Sequence, residues 1–306
     1  MTKKKNILVT GATGFIGKSL LKRLVALGHN VSILVRRDSD LSAVEDVLSR
    51  IKFFYFDGDY DSIDAAFSGS NFDLVFHLAA FGNYEHESST ISRMIDSNIK
   101  LGTFILEAMK NHGCKNIIST STYWQHYGGK KKYEPIALYA ATKKSFEGII
   151  EYYAISSGIK AITLKLYDVY GYSDHRKKFI NSLFGAKSGA EYDLTEGRQL
   201  FYMVFIDDVV DGYLTAAQLV LNGSSQAGNH KVYALRGRQK HSLRQIVSMI
   251  FEISKKSFNA NWGRKPYYPL QIMRPYSEKI LPGWTPKTSL RDGIKIIIKN
   301  NSHDKF

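Results

Sequence analysis

Cysteine is almost absent from this sequence. Cys114 stands alone among 306 residues, which excludes an intrachain disulfide and fits a reducing, cytoplasmic setting. No apolar run approaches the ~18 residues that a membrane-spanning helix needs. A secretory leader is not expected: Met1-Thr2-Lys3-Lys4-Lys5-Asn6 is basic but runs straight into an apolar strand, without a longer apolar region or cleavage site. No internal repeat or low-complexity stretch interrupts the chain. Acidic residues are in deficit, 28 Asp and Glu against 42 Lys and Arg, for a formal charge of +14. Nucleic acid is the first partner such a charge brings to mind. The basic residues are nevertheless spread out, with small clusters only at Lys130-Lys131-Lys132 and Arg176-Lys177-Lys178 and no nucleic-acid-binding motif beside them. The positive field is therefore expected to draw in a polyanionic small molecule, and neither nucleic acid nor a membrane is an expected partner.

What is present begins near the N-terminus. The apolar run Ile7-Leu8-Val9 reads as a buried strand that enters Thr10-Gly11-Ala12-Thr13-Gly14-Phe15-Ile16-Gly17 and leaves as a helix. Gly11 suits the tight turn, Gly14 lets phosphates reach the backbone, and Gly17 lets helix and strand pack closely. The unpaired N–H groups and dipole at that helix start, with Thr13, Phe15 and Ile16 in the same turn, suit a dinucleotide pyrophosphate. Gly17-Lys18-Ser19 also looks like the tail of an ATPase phosphate loop. That motif needs a glycine five residues before its Gly-Lys pair, and Ala12 stands there instead.

Ile16, Leu20, Leu24 and Leu27, flanked by Leu21 and Val25, form one apolar helical stripe that Gly28 closes. The next strand, 31–35, ends in Arg36-Arg37. An acidic side chain at that tip would bind the 2′-hydroxyl of NAD, whereas arginine suits the 2′-phosphate of NADP, so NADP(H) is the expected cofactor. A third strand, 51–56, ends at Asp57-Gly58-Asp59, where Asp57 or Asp59 is placed for the adenine amine. A fourth, 73–78, carries His77, read as an interior histidine. Its end at Leu78-Ala79-Ala80 lets backbone lie against a flat cofactor. A long helix over 94–111 and a fifth strand over 116–120 follow. Strand-to-helix alternation at about thirty-residue spacing predicts an α/β fold, a Rossmann-type doubly wound parallel sheet with right-handed crossovers. It is expected to occupy 1–170, with an interleaved return near 200–240, while 171–306 build a smaller α/β substrate lobe.

The fifth strand ends in Ser119-Thr120-Ser121-Thr122, and Tyr139-Ala140-Ala141-Thr142-Lys143 follows in a helix expected to reach about Tyr153. Tyrosine and lysine four apart share one helical face, where the ammonium is expected to lower the phenol's pKa from ~10 toward working pH. A phenol so tuned donates a proton to a carbonyl oxygen while hydride arrives at carbon.

Together these residues resemble the extended short-chain dehydrogenase/reductases, the nucleotide-sugar epimerase/dehydratase family. The resemblance covers nearly the whole length. Besides the glycine turn and the Tyr139–Lys143 pair it includes Leu166-Tyr167-Asp168-Val169-Tyr170-Gly171, Val204-Phe205-Ile206-Asp207-Asp208-Val209 and Leu281-Pro282-Gly283-Trp284-Thr285-Pro286. Within the family, the stretch from Ser119 to Tyr127 looks most like reductases making deoxyhexoses, such as CDP-abequose or CDP-paratose synthases. The resemblance implies that Lys143 also reaches the nicotinamide ribose and that Tyr167 and Val169 lie beside the nicotinamide. It implies a strand-five hydroxyl in catalysis, Thr122 with Ser121 as the alternative, and a homodimer formed through the helix bearing Tyr139.

Departures from the family pattern narrow the activity. Dehydratases follow the catalytic threonine with an acidic pair, but Tyr123-Trp124 stand here, so 4,6-dehydration is not expected. Dual epimerase-reductases place a cysteine near the site, whereas Cys114 precedes strand five and is read as packing. Asp168 replaces a common substrate-binding asparagine and is expected to meet sugar hydroxyls. Phe201 replaces a family arginine, leaving Arg198 or Arg274 to grip the diphosphate. Trp124, Gln125 and His126, in the aromatic and basic loop 123–137, are candidates to pack the sugar or base. Asp207-Asp208 resembles a metal pair but is read as capping the helix 209–221, and no metal is expected. The implied activity is NADPH-dependent reduction of the C4 ketone of a nucleotide-linked 4-keto-6-deoxy or 3,6-dideoxy sugar, in deoxysugar synthesis for surface polysaccharide. One rival is a 4-epimerase with tightly bound cofactor, against which Arg36-Arg37 weigh. The other is an NADP-sensing binding protein without turnover, against which Tyr139 and Lys143 weigh.

Overall fold

A computed structural model describes residues 3–82, 84–176, 179–184, 189–223, 229–256 and 258–303; Lys177 and Lys178 lie outside them. Six short strands come first: β1 (Asn6–Thr10), β2 (Asn30–Val35), β3 (Lys52–Tyr55), β4 (Leu74–His77), β5 (Asn116–Thr122) and β6 (Lys160–Leu166). With the strand His230–Leu235 they form one seven-stranded sheet in the order His230–Leu235, β6, β5, β4, β1, β2, β3. Every pairing in it is parallel. The doubly wound sheet expected from the sequence is thus what the chain builds. Strand order runs outward in both directions from β1 and β4, so the crevice beyond their C-terminal ends is the switch point where such sheets take ligands.

Both faces of the sheet are covered, which is why Ile7, Leu8 and Val9 are all fully buried although they alternate in direction. Helices α1 (Phe15–Ala26) and Ile206–Leu221 cover one face; α2 (Tyr60–Phe67), Leu101–Asn111 and Leu138–Ser157 cover the other. The helix expected over 94–111 arrives in pieces: Ile91–Ile95, a π-helical turn Asp96–Lys100, then Leu101–Asn111. Such turns recur at functional sites. This one carries Asn98, fully buried, whose side chain accepts the Phe81 N–H (2.8 Å) and donates to the Phe81 carbonyl (2.7 Å) and the Thr142 hydroxyl (3.0 Å). Asn98 therefore pins the loop after β4 to the helix that bears Tyr139.

Beyond β6 the chain makes small strand pairs: Asp168–Tyr170 with Met203–Phe205, Leu200–Phe201 with His241–Ser242, and Glu191–Leu194 with Asn259–Trp262. The helix Ile206–Leu221 starts earlier than expected, with Phe205 at its N-cap position, so Asp207 and Asp208 are first-turn residues rather than caps. The Asp208 carboxylate instead accepts the backbone N–H groups of Lys287 and Thr288, both at 2.9 Å, and its carbonyl accepts the Trp284 indole N–H (2.8 Å). That fastens the C-terminal segment down. Among the described residues no cluster of three or more His, Cys, Asp or Glu is placed to hold a metal, and no helix is long and apolar enough to cross a membrane.

Candidate active site

Thr10 ties the crevice together at its base. Its hydroxyl shares a hydrogen bond with Nδ1 of His77 (2.9 Å) and accepts the Ala79 N–H (3.1 Å), locking the ends of β1 and β4 side by side. His77 is fully buried, and burial pushes its pKa down to about 3, so it is a neutral interior histidine. Gly11 sits at φ +68°, and a Cβ there would lie 2.7 Å from the Ala79 nitrogen. A Cβ on Gly17 would lie 2.0 Å from the Gly11 carbonyl oxygen. Gly14 is the N-cap residue of α1, whose first turn holds no acidic residue, so its free N–H groups are compatible with an anion. This cradle fits a dinucleotide pyrophosphate.

At the tips of β2 and β3 the expected cofactor residues meet one another. Arg37 forks onto both oxygens of Asp57 (2.8 and 2.7 Å) and lies 4.9 Å from the centre of the Tyr55 ring, while Arg36 pairs with Asp38 (3.0 Å). Asp57, expected at the adenine amine, therefore holds an arginine expected at the 2′-phosphate. The register explains it: β2 and β3 are neighbours whose Val35 and Tyr55 pair, so the residues beyond them emerge together. Asp59, the alternative at adenine, caps α2 by accepting the Ser62 N–H (3.0 Å), and Gly58 turns between them at φ +96°.

Tyr139 and Lys143 occupy the first turns of the helix Leu138–Ser157. The Tyr139 ring lies against Gly82, where a Cβ would stand 2.6 Å from Cδ2, and edge-on to Trp124 at 6.1 Å. Lys143 is 1% exposed, and among the described residues its Nζ has no hydrogen-bond partner. A buried ammonium left that way is costly. A ribose hydroxyl would satisfy it, which makes Lys143 a second point of fit for the cofactor.

The phenol itself departs from expectation. Burial pushes Tyr139 up to about 12, with the Arg176 charge pulling it back; burial lowers Lys143 to about 8, with Glu147 opposing. The pair does share a helical face, but withdrawal from water sets the phenol, and Arg176 rather than Lys143 is the charge that opposes it. A stability signature follows. Lys143 releases its proton near 8 when folded and near 10.5 when unfolded, so between these values the unfolded chain binds more protons and stability rises with pH. The Tyr139 shift acts oppositely, but only above pH 10. From pH 8 to 10 the melting temperature of the wild type should therefore climb relative to that of Lys143→Met. A constant difference across that range would mean that Lys143 is not desolvated.

The strand-end hydroxyls are sorted by alternation along β5. Ser121 donates to Glu147 (2.6 Å) and accepts from the Gln125 amide (3.0 Å), which also donates to Glu147 (2.9 Å). Thr120 pairs with the Tyr213 hydroxyl at 2.6 Å. Thr122 accepts the Trp124 N–H (3.2 Å), and among the described residues its hydroxyl donates to no partner. Glu147 and Asn98 escaped the sequence reading. Glu147 stands four residues after Lys143, a usable signal, whereas Asn98 gives none.

The substrate candidates divide. Trp124 stands edge-on to Tyr84 (6.0 Å) as well as Tyr139, and Tyr84 meets Tyr268 at 4.5 Å, an aromatic wall beside the phenol. His126 is already engaged: Nδ1 donates to the Lys132 carbonyl (2.9 Å) and Nε2 faces the buried Lys165 ammonium (3.1 Å), which also binds Glu278 (3.2 Å). Tyr167 stacks on Tyr123 (4.7 Å, 6°), and its hydroxyl is bonded to the backbone at Tyr276 and Glu278. It clamps the C-terminal segment. Asp168 accepts the Tyr123 hydroxyl (3.2 Å) and, with Val169, lines about 500 Å³ of open space walled by Phe179, Phe201, Met203 and Leu243. Neither Arg198 nor Arg274 lines that space: Arg198 is exposed and paired with Glu196 (3.0 Å), and Arg274 is exposed beside Gly129. Cys114 is buried, and burial raises its pKa to about 12, so it packs as a thiol.

The model of the NAD dependent epimerase/dehydratase family matches residues 7–229. The chain belongs to that family. A CDP-abequose synthase from Salmonella muenchen is 27% identical over 296 residues, spanning 95% of this chain and 96% of its own. Among solved structures, a UDP-glucose 4-epimerase from Thermotoga maritima, with UDP-glucose, superposes with a TM-score of 0.82 at 24% identity, covering 98% of this chain and 99% of that one. A Thermus thermophilus UDP-glucose 4-epimerase in complex with NAD gives 0.77 at 23% identity, covering 96% and 97%. The family resemblance drawn from the glycine turn and the Tyr139–Lys143 pair is thus borne out, and the structural likeness is one of fold.

Proposed function

We propose that this family member is an NADPH-dependent reductase of the C4 ketone of a nucleotide-linked 4-keto-6-deoxy or 3,6-dideoxy sugar. The observation that carries the reading is Tyr139 edge-on to Trp124, whose backbone N–H the Thr122 hydroxyl accepts, with Tyr123 bound to Asp168 where a dehydratase would need a free acid. Similarity to CDP-abequose synthases along nearly the whole chain supports it. A reduced nicotinamide, when bound, supplies hydride for the carbonyl carbon. Tyr139, protonated throughout the neutral range with a pKa of about 12, donates its proton to the ketone oxygen. The Thr122 hydroxyl holds the same oxygen. Lys143 takes the ribose, and Trp124 with its aromatic neighbours excludes water. Asp168 accepts from sugar hydroxyls, and the arginines at the tip of β2 favour NADPH over NADH. The protein works as a cytoplasmic homodimer through the helix Leu138–Ser157, whose Tyr152 and Ile155 are 63% and 71% exposed.

The test is an absorbance measurement with NADPH and CDP-, dTDP-, GDP- and UDP-linked 4-keto sugars. One of them should drive stoichiometric loss of the reduced-nicotinamide band. Interconversion of C4 epimers without net NADPH consumption would establish the epimerase reading, which the UDP-glucose 4-epimerase relatives support. Tight NADPH binding without either reaction would leave a binding protein.

A further inference from the structure

Arg176 lies between the strand Asp168–Tyr170 and the helix Phe179–Phe184, and its sequence neighbourhood marks it only as part of a basic cluster. The structure holds its guanidinium on three sides. Nε and Nη2 fork onto Asp174 (2.6 and 2.7 Å), Nη2 also donates to the Val169 carbonyl (3.1 Å), and the group lies 4.3 Å from the centre of the Phe15 ring. The Asp174 side chain is 1% exposed, so this anchor is a fixed one. Among the described residues Nη1 makes no hydrogen bond, and because the Nε–Nη2 edge faces Asp174, Nη1 presents its donors on another side.

Phe15 opens α1, so the guanidinium stands beside the helix end whose N–H groups form the anion cradle. The same segment is tied to α1 again, since Lys18 donates to the Ser173 carbonyl at 2.8 Å. The Arg176 charge also acts on Tyr139. A glycine turn supplies backbone donors from one side of a pyrophosphate. An anchored arginine at the same helix end adds a directed, charge-assisted donor. Holding the fork in advance spares the ordering cost at binding.

We propose that Arg176 contacts the pyrophosphate of the cofactor, beside the end of α1 that Gly11 and Gly14 lead into. The inference rests on the dinucleotide reading above but not on the choice of NADPH over NADH, because both carry a pyrophosphate. The experiment is fluorescence titration of NADPH and of NADH into the wild type, Arg176→Gln and Arg176→Lys, with a melting curve for each. The glutamine variant should weaken both cofactors about tenfold and leave their ratio unchanged. The lysine variant, which keeps the charge without the fork, should lose about threefold. Wild-type affinity in the glutamine variant overturns the inference. So does an altered NADPH-to-NADH ratio, which would assign Arg176 to the 2′-phosphate. If the glutamine variant does not fold, undiminished binding by the lysine variant overturns it. A wild type that prefers NADH overturns the NADPH reading while leaving Arg176 at the pyrophosphate.

Discussion

Replacing Tyr139 with phenylalanine is expected to lower turnover by about 10²- to 10⁴-fold while NADPH affinity changes little. The substitution removes one oxygen and keeps the ring that packs against Gly82 and Trp124, so the wall of the crevice survives. The loss is large because nothing nearby can replace the acid. Ser121 is committed to Glu147 and Gln125, and Thr122 is a far weaker acid than a phenol. Single-turnover absorbance separates the chemical step from binding, and fluorescence of bound NADPH reports the latter. Unchanged turnover would move the proton donor elsewhere. Loss of binding together with turnover would mean that the ring, rather than its hydroxyl, matters.

Gly17→Ala is expected to abolish cofactor binding and to lower the melting temperature by roughly 5 °C or more. Its methyl would meet the Gly11 carbonyl oxygen at 2.0 Å and the Gly11 carbonyl carbon at 2.8 Å. Both are backbone atoms of a turn already held at positive φ, so no flexible side chain can swing aside. The helix must back away, and the N–H groups at its start leave the crevice with it. Gly14→Ala gives the contrast. Its methyl meets only the Gly11 oxygen, at 3.3 Å, so the fold should persist with a near-normal melting curve while NADPH binding weakens. Equal melting curves for Gly17→Ala and the wild type would sink the idea that this contact sets the position of α1.

The difference between these glycines marks how far the sequence could be read. A turn of three spaced glycines is a local backbone requirement, so the strand, turn and helix could be inferred from adjacent residues alone. That Tyr139 and Lys143 share one helical face was legible for the same reason, since four residues make about one helical turn. Pairings set by strand register were not. Arg37 and Asp57 read separately as cofactor ligands, and only the alignment of β2 with β3 brings them together. Asn98, 44 residues from Thr142, and Lys165, 113 residues from Glu278, depend on packing that no local pattern announces. The choice between Ser121 and Thr122 is of the same kind. Counting left it open, and what the strand adds is only that Ser121 bonds Glu147 whereas Thr122 accepts from the turn that follows.

The seam at Asp208 bears on how such enzymes can be re-engineered. A chain cut short before Trp284 would forfeit the indole bond and both amide donors at once, stranding a carboxylate that is only 3% exposed. Hybrids made by exchanging whole C-terminal halves between relatives would have to recreate this stitch at every junction. Transplants limited to the 123–137 loop leave it whole.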